Sequence, residues 1–297
     1  MALVGIDVGG TFTDLYYSRD GANADRICKV PSTPQDPSSG LLDSLITAEI
    51  PLDDLDLILH GTTIATNALI ERQGARCALI TTKGFRDILE LGRRDRPSFY
   101  GLTGIQDPLI PRDRRYEVRE RMNHKGEVLV ALDDDEVRLL GEALKEDEVE
   151  SVVISLLHSY INPVHEERIA AIRREIEPSW AIVTSASVIR EYYEFERTST
   201  AVVQAYLQPL MTRYADNLLS RLSDWGFTRQ TLIMQSNGGL VPVPQLPEKA
   251  AHVVRSGPAA GVTAAARIAA EAGFSRAITG DMGGTSFDVA VVIDGEP

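Results

Sequence analysis

The chain has 297 residues, with 43 acidic against 30 basic side chains, five His, two Cys and a formal net charge of −13. That balance argues against sequence-independent binding to nucleic acid or anionic lipid, since both need clustered positive charge. No apolar run approaches the roughly 18 residues of a membrane helix, residues 1–7 lack the pattern of a secretory signal, and Cys28 and Cys77 suit neither a disulfide framework nor a zinc site, so a cytoplasmic protein of one or two domains is expected.

Short β-rich runs bounded by turn residues alternate with amphipathic stretches, which makes the class α/β. In chain order, strands are predicted at 3–7 and 14–18, a helix at 40–49, a strand at 55–60, a helix at 62–72 and a strand at 76–81. A helix at 134–146 opens on the acids 133–136, where they favour the helix dipole. A strand at 151–157, a helix at 164–175 and a strand at 181–184 continue the alternation. The longest helical pattern covers 194–225, with Val203, Leu207, Leu210, Tyr214, Leu218, Leu222 and Trp225 at spacings of three and four. Pro209 should kink or restart that helix, and Gly226 should stop it. After a strand at 231–235 come the loop Ser236-Asn237-Gly238-Gly239, a proline-rich connector, and an alanine-rich helix to Ala272 with Pro258 in its first turn.

The chain also repeats itself. Asp7-Val8-Gly9-Gly10-Thr11-Phe12-Thr13-Asp14 and Asp281-Met282-Gly283-Gly284-Thr285-Ser286-Phe287-Asp288 agree at five of eight positions, each between two apolar strands. Glycines let a backbone approach a polyphosphate and turn its N–H groups toward it. Thr11, Thr13 and Thr285 offer hydroxyl donors, while Asp7 and Asp281 suit a hydrated Mg²⁺ shared with the phosphates. The alternative is a pair of structural β-turns, but turn chemistry alone does not require matched acids and threonines. Asp14 and Asp288 either orient water or metal or brace their hairpins. His60-Gly61-Thr62-Thr63 falls where a strand gives way to a helix. His60 reads as an acid or base near neutral pH, or as a hydrogen-bonded strand-end histidine; Thr62, Thr63 and Asn67 on the adjoining turns favour the site. Arg93-Arg94-Asp95-Arg96 reads as ion pairing or substrate-loop contacts rather than a nucleic-acid patch, and Glu196-Arg197 as an inter-element ion pair in preference to a cleft contact.

The two hairpins, with Ser256-Gly257-Pro258-Ala259-Ala260-Gly261 leading into the second, resemble the actin, sugar-kinase and heat-shock chaperone superfamily of ATPases. Further segments are similar to the hydantoinase A and 5-oxoprolinase family. These are His60-Gly61-Thr62-Thr63, Thr82-Lys83-Gly84-Phe85-Arg86-Asp87, Leu156-Leu157-His158-Ser159-Tyr160, Glu196-Arg197-Thr198-Ser199-Thr200 and Met234-Gln235-Ser236-Asn237-Gly238-Gly239. The resemblance implies an α/β, actin-like (ribonuclease H-like) lobe followed by the start of a second. It implies a hydantoinase/oxoprolinase N-terminal domain over 1–182 and the beginning of the family core over 183–297, with the adenosine-binding part beyond Pro297.

The same resemblance implies an ATP- and Mg²⁺-dependent enzyme that opens a cyclic amide by phosphorylating the ring carbonyl before hydrolysis. It leaves two alternatives, the β subunit of an acetone-type carboxylase and a non-catalytic nucleotide-binding module. Asp7 and Asp281 would position the metal, and Gly9, Gly10, Thr11, Thr13, Gly283, Gly284 and Thr285 the phosphates. His60, Asp14 and Asp288 would serve the chemistry, and Thr62, Thr63 and Asn67 the substrate. Expected partners are a small cyclic amide and a hydantoinase B-like subunit within an oligomer.

Overall fold

The computed structural model describes residues 1–19, 25–33, 36–94, 100–101, 106–282 and 287–296. In chain order it contains β1 (Ala2–Val8), β2 (Phe12–Arg19), β3 (Arg26–Pro31), α1 (Pro37–Thr47), β4 (Leu57–Thr62) and α2 (Ile64–Ile70). There follow β5 (Cys77–Thr82), α3 (Ile88–Leu91), β6 (Arg115–Val118), β7 (Arg121–Met122), β8 (Val128–Val130), α4 (Asp134–Glu146), β9 (Ser151–Ser155) and α5 (Val164–Ile176). Next are β10 (Ala181–Thr184), α6 (Ser185–Val188), α7 (Glu194–Asp224), β11 (Gln230–Met234), β12 (Leu240–Pro242), α8 (Ser256–Glu271), β13 (Arg276–Met282) and β14 (Phe287–Ile293). None of the described helices is long and apolar enough to cross a membrane.

These elements form two compact units, Met1–Glu71 with Met211–Pro297, and Arg72–Leu210. The units cut across the expected division at 182/183, because residues on both sides of that point belong to the second unit.

The first unit carries a six-stranded sheet of order β12-β11-β4-β1-β2-β3, in which β1, β4 and β11 run parallel. Alternation decides which side chains face the interior: Ala2, Val4, Ile6 and Val8 of β1 and Ile58, His60 and Thr62 of β4 are buried. Asp7 and Gly61 therefore fall on the opposite face. β13 and β14 make a separate antiparallel ribbon packed against α8, with Ile278, Met282, Phe287, Val289 and Val291 exposed.

The second unit holds a parallel sheet of order β10-β9-β5-β6. Every residue of β5 and β9 is buried, as expected of parallel strands covered on both faces. Val137 and Leu144 of α4 and Ile169 and Ile172 of α5 join Ile80, Val152, Ile154 and Trp180 in one core. Asp133 caps α4, its carboxylate accepting the Asp135 and Glu136 N–H groups at 2.9 and 3.3 Å.

Helix α7 passes from the second unit into the first as one element and runs through Pro209 without a restart. The lost backbone bond there is flanked by Ala205, Leu207 and Met211, all fully buried, so packing holds the helix together. Gly226, at φ 95°, ends it: Phe227 N–H bonds the Leu222 carbonyl at 2.8 Å and Gly226 N–H the Ser223 carbonyl at 2.9 Å.

Candidate active site

The sequence repeat is also a repeat of strand register. β1 and β2 pair Asp7 with Asp14 and Val8 with Thr13, while β13 and β14 pair Asp281 with Asp288 and Met282 with Phe287. Gly283, Gly284 and Thr285, expected to hold phosphate, lie outside the described residues.

Both first acids come to the start of α8. A Cβ added at Gly257 would stand 3.7 Å from Asp7 Oδ1, and one at Gly261 would stand 4.0 Å from Asp281 Oδ2. Those glycines are one turn apart on one helix face. On the other side of Asp7, a Cβ at Gly61 would fall 2.9 Å from the same Oδ1, so only glycine leaves the carboxylate its place. The helix is pinned here. The Ser256 hydroxyl donates to the Thr62 carbonyl at 3.2 Å, and the Arg255 N–H donates to Thr66 Oγ1 at 2.8 Å.

Asp7 keeps solvent access, yet its pKa is raised from 3.8 by partial desolvation, then by the charges of Asp14 and Asp281. Two carboxylates that repel each other across a glycine-faced helix are a donor set that a divalent cation relieves. Among the described residues no three His, Cys, Asp or Glu side chains converge as a metal cluster. A cation held by Asp7 and Asp281 would complete its shell with water and phosphate oxygens, which is the habit of Mg²⁺.

Several expected residues cluster at the first hairpin. Gly9 N–H closes the turn on the Phe12 carbonyl at 3.0 Å, leaving Gly10 and Thr11 exposed at the tip. Thr63 bonds the Val8 carbonyl through its N–H at 3.3 Å and its hydroxyl at 3.4 Å. Asn67 Nδ2 donates to Thr63 Oγ1 at 3.4 Å and lies 3.9 Å from where a Gly10 Cβ would be. Thr63 and Asn67 thus brace the hairpin tip.

Three expectations are corrected by alternation along the strands. Thr13 is fully buried and shares a hydrogen bond with Ser32 Oγ at 3.0 Å, on the face away from Asp7. It cannot reach a phosphate there. Thr62 is also fully buried, and its Oγ1 accepts the Ile64 N–H at 3.3 Å, which forms the turn into α2 rather than a substrate contact. His60 is 1% exposed, with Nδ1 3.3 Å from the Ile6 carbonyl and Nε2 2.5 Å from the Tyr214 hydroxyl. Facing a carbonyl, Nδ1 carries the proton, so Nε2 accepts from Tyr214. Burial lowers the His60 pKa to about 4 and raises that of Tyr214. His60 is therefore a neutral interior group that ties α7 to β4, not an acid or base open to substrate.

Asp14 is paired with Lys29, at 3.0 Å from its Oδ1, which favours the bracing reading. Asp288 lines a groove of about 830 Å³ between α8 and the β13–β14 ribbon, together with Asp281, Arg255 and Ser236. Tyr214, Thr66 and Arg255 escaped the sequence reading, because nothing in their local pattern separates them from ordinary helix and loop residues.

Three of the remaining motif segments, 82–87, 156–160 and 196–200, lie in the second unit, while 234–239 follows β11 in the first. Thr82 Oγ1 accepts the Leu157 N–H at 3.1 Å and bonds the Glu120 carboxylate, which also meets His165 Nδ1 at 2.8 Å. Arg197 pairs with Glu194, and Glu196 pairs with Arg93 at 2.5 Å.

The pattern of the hydantoinase/oxoprolinase N-terminal region matches residues 3–177, and that of hydantoinase/oxoprolinase matches residues 197–297. This chain belongs to the hydantoinase/oxoprolinase family. An uncharacterized protein of Methanocaldococcus jannaschii is 39% identical to this family member over 99% of the chain and 44% of its own length. Caprolactamase subunit alpha of Pseudomonas jessenii is 36% identical over 97% of the chain and 43% of the relative. The crystal structure of that ATP-dependent caprolactamase superposes with a TM-score of 0.81, at 34% identity over 97% of this chain and 43% of its own. A nucleotide-free acetone carboxylase superposes with a TM-score of 0.88, at 29% identity over 99% of this chain and 44% of its own. The hydantoinase/oxoprolinase chain thus spans less than half the length of these relatives, and has the actin-like ATPase fold they share.

Proposed function

We propose that this chain supplies the Mg²⁺–phosphate grip of an ATP-dependent enzyme that opens a cyclic amide of the hydantoin, 5-oxoproline or lactam kind. The observation that carries the reading is the convergence of Asp7 and Asp281, in hairpins of identical register, on the Gly257–Gly261 face of α8. The two acids would hold Mg²⁺ directly or through water, which neutralises charge on the phosphates. Gly9, Gly10 and Thr11, with Gly283, Gly284 and Thr285 of the second hairpin, would cradle the phosphate chain. An amide carbon is a poor electrophile, and phosphorylating its oxygen opens it to water, so the chain contributes mainly positioning and charge neutralisation. Asp288, across its hairpin from Asp281, would orient water around that cation, whereas Asp14, paired with Lys29, would brace the first hairpin. Partner subunits would complete the assembly, since relatives of this chain are subunits by name.

The test is ADP release by the intact protein with its partner subunits, measured with hydantoin, 5-oxoproline and lactam substrates. Ring-dependent ADP release supports the proposal, and release that no ring amide stimulates sinks it. A second reading, an ATP-dependent carboxylase, is favoured by the superposition on acetone carboxylase. ADP release that requires bicarbonate would select it.

A further inference from the structure

Arg255 is the residue of the α8 groove that the proposed function leaves without a task. It stands immediately before α8 at φ 64°, in the left-handed region that non-glycine residues seldom occupy. Its backbone is fixed on both sides: its N–H bonds Thr66 Oγ1 at 2.8 Å, and the Ser256 hydroxyl bonds the Thr62 carbonyl at 3.2 Å. Its side chain is exposed, with no hydrogen bond or ion pair to any described residue. Among the described residues lining the groove it is the one basic side chain, and Asp281 and Asp288 line the same groove.

A groove that carries two carboxylates repels a polyphosphate unless cations offset them. One offsetting charge is the divalent ion that Asp7 and Asp281 would share. The other is a side chain: a guanidinium, two residues before the glycine that abuts Asp7, whose forked donors meet no described residue.

We propose that Arg255 is a phosphate-binding residue whose guanidinium forks onto the oxygens of the polyphosphate held by the two hairpins. The assignment rests on the nucleotide reading above and adds to it a residue outside both hairpins. It explains why an arginine is held by its backbone at the mouth of α8 while its side chain pairs with no described residue.

Calorimetric titration of the intact protein with Mg·ATP, and separately with inorganic tripolyphosphate, tests the proposal in wild type, Arg255→Gln and Arg255→Lys. Loss of a charged, forked contact is expected to weaken both ligands about tenfold or more in the Gln variant. The Lys variant should fall between, because it keeps the charge and loses the fork. A folded Gln variant that binds both ligands as tightly as wild type overturns the proposal and leaves the nucleotide reading standing. Wild type that binds neither ligand overturns the nucleotide reading and this assignment with it. If the Gln variant fails to fold, the Lys variant decides: weakened binding of both ligands supports the role, and unchanged binding overturns it.

Discussion

Asp7 is held where its own charge is unwelcome, partly desolvated in the space that Gly61 and Gly257 leave it and repelled by Asp14 and Asp281. Folding raises its pKa from 3.8, so the folded chain holds this proton more tightly than the unfolded chain does, and stability falls as pH rises above that value. Asp7→Asn should therefore raise the melting temperature of the metal-free protein at pH 7. After solvent screening the gain is about half a kcal/mol, or about 1–2 °C. It should vanish as pH falls below about 4, where both forms are neutral. Thermal melts with Mg²⁺ should invert the order, with wild type gaining stability from the ion and the variant not. A variant less stable than wild type at pH 7 without metal would show that the carboxylate is a structural asset. At this scale the sequence was half legible. The acids and glycines announced themselves by repetition, whereas His60, Thr62 and Thr13 were placed in the site although strand alternation turns them inward. Period-two burial was available in the sequence, and motif membership overrode it.

At the scale of elements, one buried cation ties the second unit together. Arg197, fully buried, donates to the Leu156 carbonyl at 3.0 Å, the Glu191 carbonyl at 2.8 Å and Ser185 Oγ at 3.2 Å, and pairs with Glu194. Glu166, whose pKa burial raises, accepts from the Leu156 N–H at 2.9 Å, the Ser185 hydroxyl at 2.7 Å and the Ala186 N–H at 3.1 Å. The end of β9 and the starts of α6 and α7 are thus joined through the buried side chains of Arg197 and Glu166. Arg197→Ala strips Glu194 of its cation and the Leu156 and Glu191 carbonyls of a charged donor, and should cost about 3–5 kcal/mol. A shift of the urea midpoint that amounts to under about 1 kcal/mol would place the pair with ordinary surface bridges. Helices α4 and α5 and strands β5, β9 and β10 could be read beforehand because their apolar periods are strong. The strands β6, β7 and β8 could not, because Arg-Tyr-Glu-Val, Arg-Met and Val-Leu-Val are too short, or too charged, to show a period.

At the scale of the whole molecule, the net charge of −13 fits the proposed site, which would grip anions through backbone amides, Mg²⁺ and one arginine rather than a basic surface. The twofold hairpin was visible as spelling, but the interruption of one compact unit by another was not, because contiguity in sequence conceals which strands will pair. Strand β4 pairs with β1 on one side and with β11 on the other, across the whole of residues 72–210. That pairing has a consequence in time. The continuous unit Arg72–Leu210 has all its strands as soon as α7 is made, while the six-stranded sheet must wait for β11 and β12 and close a long loop to recruit them. Refolding followed by pulsed hydrogen exchange should protect the amides of β5 and β9 before those of β4 and β11, and simultaneous protection would contradict that order. The two proposed phosphate hairpins would therefore come together only after residues 72–210 have been made, by which time the inserted unit can already have folded.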